Sequence, residues 1–330
     1  MAAELSTRLV KATPESIGDA AMCLREGGLV AFPTETVYGL GADAANAKAI
    51  THLYAAKGRP SFNPLIAHVS DLESALRFAQ FTPDAMKLAR AFWPGPLTLV
   101  LRKTADCPVA DLATAGLDTI AIRVPSHPVA RELLHAFGGA VVAPSANRSG
   151  HVSPTTANHV QSDLNGRIDM ILDGGAVDVG VESTIIGCFD APVLLRPGGA
   201  AREAIEAVLG HALLEPSTPE ETDTARPLAP GMLTSHYAPR ARVRLDAVSV
   251  APHEALLAFG PGSVEGLDKA AAIMNLSESG NLDEAATNLF GYLRALDAKG
   301  ARGIAVMPIP DQGLGEAIND RLRRAAAPQP

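Results

Sequence analysis

Three short polar segments of this 330-residue chain have the composition to handle a charged ligand. Lys57-Gly58-Arg59-Pro60 sets two cations two residues apart on a turn stiffened by glycine and proline. Arginine brings a flat, two-pronged donor and lysine a point charge, a pairing suited to gripping phosphate. Ser145-Ala146-Asn147-Arg148-Ser149-Gly150 offers hydroxyls, an amide and a guanidinium. Pro33-Thr34-Glu35-Thr36-Val37-Tyr38-Gly39-Leu40-Gly41 adds two threonines, a carboxylate and a phenol. Each segment alone has a plainer reading. The first could be a helix C-terminus whose cations answer the macrodipole, and the second an ordinary polar turn.

The elements around them argue for a shared site. Residues 46–56 have helical composition, with Ile50, Leu53 and Tyr54 on one face and Gly58 as the stop. The apolar runs 29–32 and 140–143 read as buried strands that end at the other two polar segments. In an open α/β sheet, ligands collect outside the carboxyl ends of strands, so these exits point towards one crevice.

The remaining pattern predicts strands at 64–69, 97–102, 119–124, 168–172, 184–189 and 193–196. Helices are predicted at 14–25, 71–81, 82–92, 127–137 and 202–209. Many strands with interspersed helices give an α/β fold, a twisted mixed sheet with flanking helices. Composition shifts to Pro, Thr, Glu and Gly over 215–239, which reads as a linker. Beyond it, strands at 243–245, 255–259, 270–274 and 303–307 alternate with helices at 282–298 and 315–325, the pattern of a small parallel-sheet domain. The expected organisation is therefore a larger domain over 1–212, a connecting segment over 213–240 and a smaller Rossmann-like domain over 241–330.

Pro33 to Gly41, Lys57 to Pro60, Asn63-Pro64-Leu65, Pro144 to Gly150, Ser183-Thr184 and Arg196-Pro197-Gly198 occur in that order. Together they resemble the L-threonylcarbamoyladenylate synthase family. The tract Ser235-His236-Tyr237-Ala238-Pro239, with a further stretch behind it, resembles its long, two-domain form. The resemblance implies a YrdC-like catalytic domain and a nucleotidyltransferase. That enzyme condenses L-threonine, bicarbonate and ATP into L-threonylcarbamoyladenylate and pyrophosphate, the first step of threonylcarbamoyl modification of a tRNA adenosine beside the anticodon.

The resemblance also implies roles for residues. Lys57 and Arg59 would oppose phosphate charge during the reaction. Asn63, Thr119, Ser145, Asn147, Ser153, Arg196 and Tyr237 would join them in holding ATP, with residues 230–239 folding over the nucleotide as a lid. Thr34, Thr36, His68, Arg123 and Ser183 would surround threonine. Arg123 ends an apolar strand and suits the amino acid's carboxylate, although a surface ion pair is the alternative; His68 could instead be a core histidine. Mg²⁺ is expected with the triphosphate, which supplies most of its oxygens, so no dense cluster of protein ligands is required. Glu182 and Asp173 are metal candidates whose plainer reading is a solvated or capping role.

Such chemistry needs positioning and charge neutralisation and no protein nucleophile. The chain accordingly has no Gly-x-Ser-x-Gly elbow and no Gly-x-x-x-x-Gly-Lys-Ser/Thr loop. Its nine histidines show no zinc-type spacing, and its three cysteines are far apart, which suits a reducing cytoplasm. No apolar run is long enough to span a membrane. Up to Gly210 there are 17 Lys and Arg against 21 Asp and Glu, and beyond it 11 against 15, so neither half is a basic nucleic-acid surface. Weak or no direct tRNA binding is expected, with the product passing to a downstream tRNA threonylcarbamoyl-transfer complex. Two other readings remain at this level: a carbamoyl-transfer enzyme of related fold, and a non-catalytic RNA-binding protein that the acidic balance disfavours.

Overall fold

The computed structural model describes residues 6–216 and 237–328. Most of the expected linker and lid, residues 217–236, lies outside the described residues. Eleven strands form the larger sheet. Its continuous path runs from Arg8–Lys11 through Met170–Asp173, Val30–Pro33, Tyr38–Asp43, Val141–Val142, Ile66–His68, Thr119–Arg123, Leu97–Lys103 and Thr184–Cys188 to Pro192–Arg196. Parallel and antiparallel pairs are mixed along it. Helices Pro14–Arg25 and Pro128–Phe137 pack on each other over one face, burying Leu24, Leu133 and Leu134 against Val30 and Phe32.

Among the strands that escape sequence reading are Arg8–Lys11 and Tyr38–Asp43. The first is mostly exposed, and the second carries two glycines among its six residues, so neither has the apolar run that marks a strand. The expected helix over 71–81 is shorter, Leu72–Leu76, and the chain then enters strand Ala79–Gln80. Helix Ala157–Leu164 was also not anticipated; Thr156 caps it by accepting from the His159 amide.

The second sheet has the order Arg242–Arg244, Gly303–Val306, Glu254–Ala258, Ile273–Asn275, and every pair is parallel. Helices Leu282–Ala298 and Gly315–Ala326 bury Leu289, Phe290, Leu293, Ile318 and Leu322 against it. That core continues into the larger half, because Val37, Val152 and Val181 belong to the same buried cluster. The two halves are therefore held by shared apolar packing as well as by polar contacts.

Candidate active site

Helix Ala47–Lys57 starts at Asn46, whose side chain accepts from the amides of Lys48 and Ala49. It stops at Gly58, which takes the left-handed conformation at φ 61°. The Tyr54 hydroxyl donates to the Asn63 carbonyl at 3.1 Å and pins the loop that follows. Arg59 is held over that loop by donating to the Pro64 carbonyl at 3.0 Å. Lys57 points elsewhere. Its buried ammonium donates to the backbone carbonyls of Ser145 and Asn147, so it ties the helix end to the second polar segment.

Sheet register builds another part of the wall. Ile66–His68 pairs in parallel with Thr119–Arg123, which sets His68 beside Arg123, and antiparallel with Val141–Val142, which sets His68 beside Val141. Arg123 donates from Nε to the Gly95 carbonyl at 3.2 Å and from Nη2 to Glu35 Oε1 at 2.6 Å. Glu35 Oε2 also accepts from the Ser126 amide. Burial raises the Glu35 carboxyl, but the Arg123 charge and these hydrogen bonds outweigh it and hold the group below its ordinary range. Burial, reinforced by Arg123, pushes His68 down to about 3, so its imidazole is neutral at physiological pH.

Within the turn after Val30–Pro33, the Thr34 hydroxyl donates to the Val37 carbonyl and accepts from the Thr36 and Val37 amides. The same hydroxyl lies 2.8 Å from that of Thr36. The last piece comes from strands Thr184–Cys188 and Pro192–Arg196. Arg196 folds back to donate to the Ser183 carbonyl at 2.8 Å, and the Ser183 hydroxyl lies 2.7 Å from that of Thr98. Gly198 permits this approach: a Cβ there would sit 2.3 Å from the Glu182 carbonyl oxygen and 2.4 Å from the Ser183 carbonyl carbon.

These pieces converge. One cavity is lined by Thr36, Arg59, His68, Arg123, Ser145, Glu182, Ser183, Arg196 and Tyr237, among others, and leaves about 50 Å³ of free space. Of the residues anticipated for it, Lys57, Asn147, Ser153 and Thr34 stand one layer behind the wall, where their side chains fix its loops. Asn63 lies on the Arg59 loop, and Thr119 opens the strand that Arg123 ends, about 13 Å away at the usual rise per residue. The side-chain oxygens of Asn63 and Asn147 are buried without a hydrogen-bond partner. Unpaired buried acceptors of this kind call for a ligand or water.

Three expectations are corrected. Arg148 was placed in the crevice, but it is exposed and absent from the lining, because the loop turns outward after Asn147. The Tyr38 phenol at the same crevice is spent on the Gly175 carbonyl. Glu182 is neither solvated nor capping. It is buried on the cavity wall, where Oε1 accepts from Ser153 at 2.5 Å and Oε2 accepts from Arg321 Nε at 2.7 Å. Asp173, the other metal candidate, pairs with Lys11 at the surface. Among the described residues no group of three or more His, Cys, Asp or Glu could hold a metal ion.

Sequence reasoning missed Glu35 and Arg321. Glu35 lies in a polar motif where residue types alone give it no role. Arg321 sits in a basic stretch with Arg323 and Arg324, and nothing in the residue types marks which of the three is buried.

A family model described as "Telomere recombination" matches residues 22–198, and one described as "Threonylcarbamoyl-AMP synthase, C-terminal domain" matches residues 200–327. Threonylcarbamoyl-AMP synthase of Bacillus subtilis (strain 168) is 42% identical across 94% of this chain and 92% of that protein. Threonylcarbamoyl-AMP synthase of Pyrococcus abyssi is 43% identical across 93% of each. The crystal structure of P. abyssi Sua5 complexed with L-threonine superposes with a TM-score of 0.85, at 39% identity, across 98% of this chain and 97% of that one. The two family models together cover residues 22–198 and 200–327, and the chain belongs to the threonylcarbamoyl-AMP synthase family of nucleotidyltransferases.

Proposed function

We propose that this protein condenses L-threonine, bicarbonate and ATP into L-threonylcarbamoyladenylate with release of pyrophosphate. The observation that carries the reading is one buried cavity whose lining combines the cations Arg59, Arg196 and Arg123 with the polar groups of Thr36, His68, Ser145 and Ser183. The threonine complex of the P. abyssi relative supports an amino-acid substrate.

The chemistry follows from that combination of groups. Threonine's amine attacks bicarbonate and water leaves to give a carbamate, and one carbamate oxygen attacks the α-phosphorus of ATP in line with the departing pyrophosphate. Arg59 and Arg196 stabilise the charge that gathers on the phosphates, while Lys57 keeps the Ser145–Asn147 backbone in place. Neutral His68 can accept from threonine without adding charge. Arg123 is shared with Glu35, so the threonine carboxylate meets a guanidinium already oriented by one partner. Mg²⁺ would arrive on the triphosphate. Glu182 is the one carboxylate on the described lining, and its two oxygens are engaged by Ser153 and Arg321.

About 50 Å³ of free space is far below the roughly 300 Å³ or more of a typical small-ligand site, so ATP enters only after Tyr237 moves. Tyr237 stands at the end of the connecting segment, with its ring on the cavity wall. Its return over bound substrates would shield the mixed anhydride from water. The acidic product is then passed on for tRNA modification by another protein, which fits a chain with no basic half.

The test is pyrophosphate release by the purified protein with threonine, bicarbonate and ATP omitted in turn. Release is expected only with all three. Equal release without threonine, or none with the full set, overturns the reading.

A further inference from the structure

Arg321 belongs to the C-terminal helix Gly315–Ala326, yet its guanidinium is fully buried and reaches into the other half of the molecule. Nε donates to Glu182 Oε2 at 2.7 Å, and Nη1 donates to the Pro197 carbonyl at 2.9 Å and to Asp320 at 2.6 Å. The guanidinium carbon lies 5.4 Å from the centre of the Tyr237 ring, and that ring stacks on Phe290 with centroids 5.5 Å apart. One side chain therefore touches a cavity-wall carboxylate, the segment beside Arg196, and an aromatic ring of the cavity lining.

We propose that Arg321 is a positioning residue for the nucleotide: it matches the Glu182 charge on the wall that a triphosphate must approach, and it seats Tyr237 against the cavity. This deepens the function proposed above and rests on it. Glu182 is a full negative charge on the wall that a triphosphate must approach, and Arg196 is already one of the cations that act on it. With Arg321 docked, that charge is also matched from behind. Remove the guanidinium and Glu182 draws more strongly on Arg196 and repels phosphate. Docking of the small sheet domain thereby becomes part of the ATP site, which gives that domain a task in the reaction.

Among the described residues, Glu182 and Arg321 face Ser153, Arg196 and Tyr237 on the cavity side and Asp320 and Arg324 on the helix. Burial raises the Glu182 carboxyl, but Arg321, Arg196 and Ser153 together hold it down at about 2. Without Arg321 it should take up a proton nearer neutral pH.

Three variants test this in the full-length protein, with KM for ATP and kcat read from pyrophosphate release between pH 5.5 and 8.5. Arg321→Met is expected to raise KM for ATP about tenfold or more, from a coupling in the usual range for buried contacting groups. The excess should shrink as pH falls and Glu182 protonates, while KM for threonine moves far less. The double variant Arg321→Met/Glu182→Gln should recover most of the lost ATP affinity and lose the pH dependence. Glu182→Gln alone should lower KM for ATP, and it keeps the proposal testable if Arg321→Met does not fold. A merely structural Arg321 predicts equal KM for ATP in the single and double variants at every pH, and that result overturns the proposal, as does a higher KM in Glu182→Gln. Wild-type protein that releases no pyrophosphate would instead remove the function beneath it.

Discussion

The Arg123 guanidinium donates to the Glu35 carboxylate at 2.6 Å, with both side chains buried and Arg123 on the cavity wall. Strand register puts Arg123 beside His68, and Glu35 then fixes the direction of the fork. Removing one partner leaves the other charge buried and unmatched. Arg123→Met is expected to cost about 3–5 kcal/mol in urea unfolding. Arg123→Lys keeps the charge and loses the fork, so it should raise KM for threonine more than KM for ATP. Equal effects on both substrates would separate Arg123 from the threonine carboxylate.

Lys57 and Arg59 should behave differently although they are two residues apart. Lys57→Met removes donors from two backbone carbonyls and is expected to lower stability by about 1.5–3 kcal/mol as well as turnover. Arg59→Ala should reduce turnover about ten- to a hundredfold, since one charge-assisted phosphate contact is worth about 1.5–3 kcal/mol. Its stability loss should be the smaller of the two. Paired thermal melts and pyrophosphate assays decide the matter.

Acid should loosen the docking of the two halves. Glu182 meets Arg321 and Asp163 meets Arg294 across that contact. Burial raises both carboxyls, but Arg321 on one, and His151 and Arg294 on the other, hold each at about 2, below ordinary values of 4.5 and 3.8. The unfolded chain therefore binds protons that the native state refuses. The stability from these pairs is complete above about pH 4.5 and is lost as pH falls towards about 2. A urea midpoint that stays flat from pH 5 to pH 3 would contradict this.

Gly198→Ala should damage the site from a position that contributes no side chain. The added methyl would lie 2.3 Å from the Glu182 carbonyl oxygen and 2.4 Å from the Thr184 nitrogen, and backbone cannot yield as a flexible side chain can. A loss of about 1–3 kcal/mol or more is expected, with KM for ATP raised as Ser183 and Arg196 shift. Unchanged melting and kinetics would count against it.

The cysteines make a simpler test. Burial pushes the thiols of Cys23 and Cys188 up to about 11 and about 12, so neither should react with a thiol reagent at pH 7.5 in the folded protein. Rapid modification of either in native protein would contradict the packing around it.

Much of the site was legible in the chain because its pieces are local. Gly58 after an amphipathic helix, Ser145 after an apolar run and Arg123 at a strand end are each set by a few neighbouring residues, and all three lie where that pattern puts them. The small parallel sheet was legible for the same reason, since its helices carry clear apolar faces.

Other features depended on groups distant in sequence. Whether Arg148 or Arg196 faced the cavity turned on which way a loop left the sheet. Lys57 became a backbone tie because residues 145–147 arrive from nearly ninety positions away. Glu182 looked like a solvated acid until a guanidinium 139 residues later closed on it. Residue types and periodicity decided the elements and the chemistry at their ends, because those follow from local backbone preference and apolar spacing. The tertiary structure alone decided which charges are matched and which remain for a ligand, because pairing of buried charges depends on distance in space.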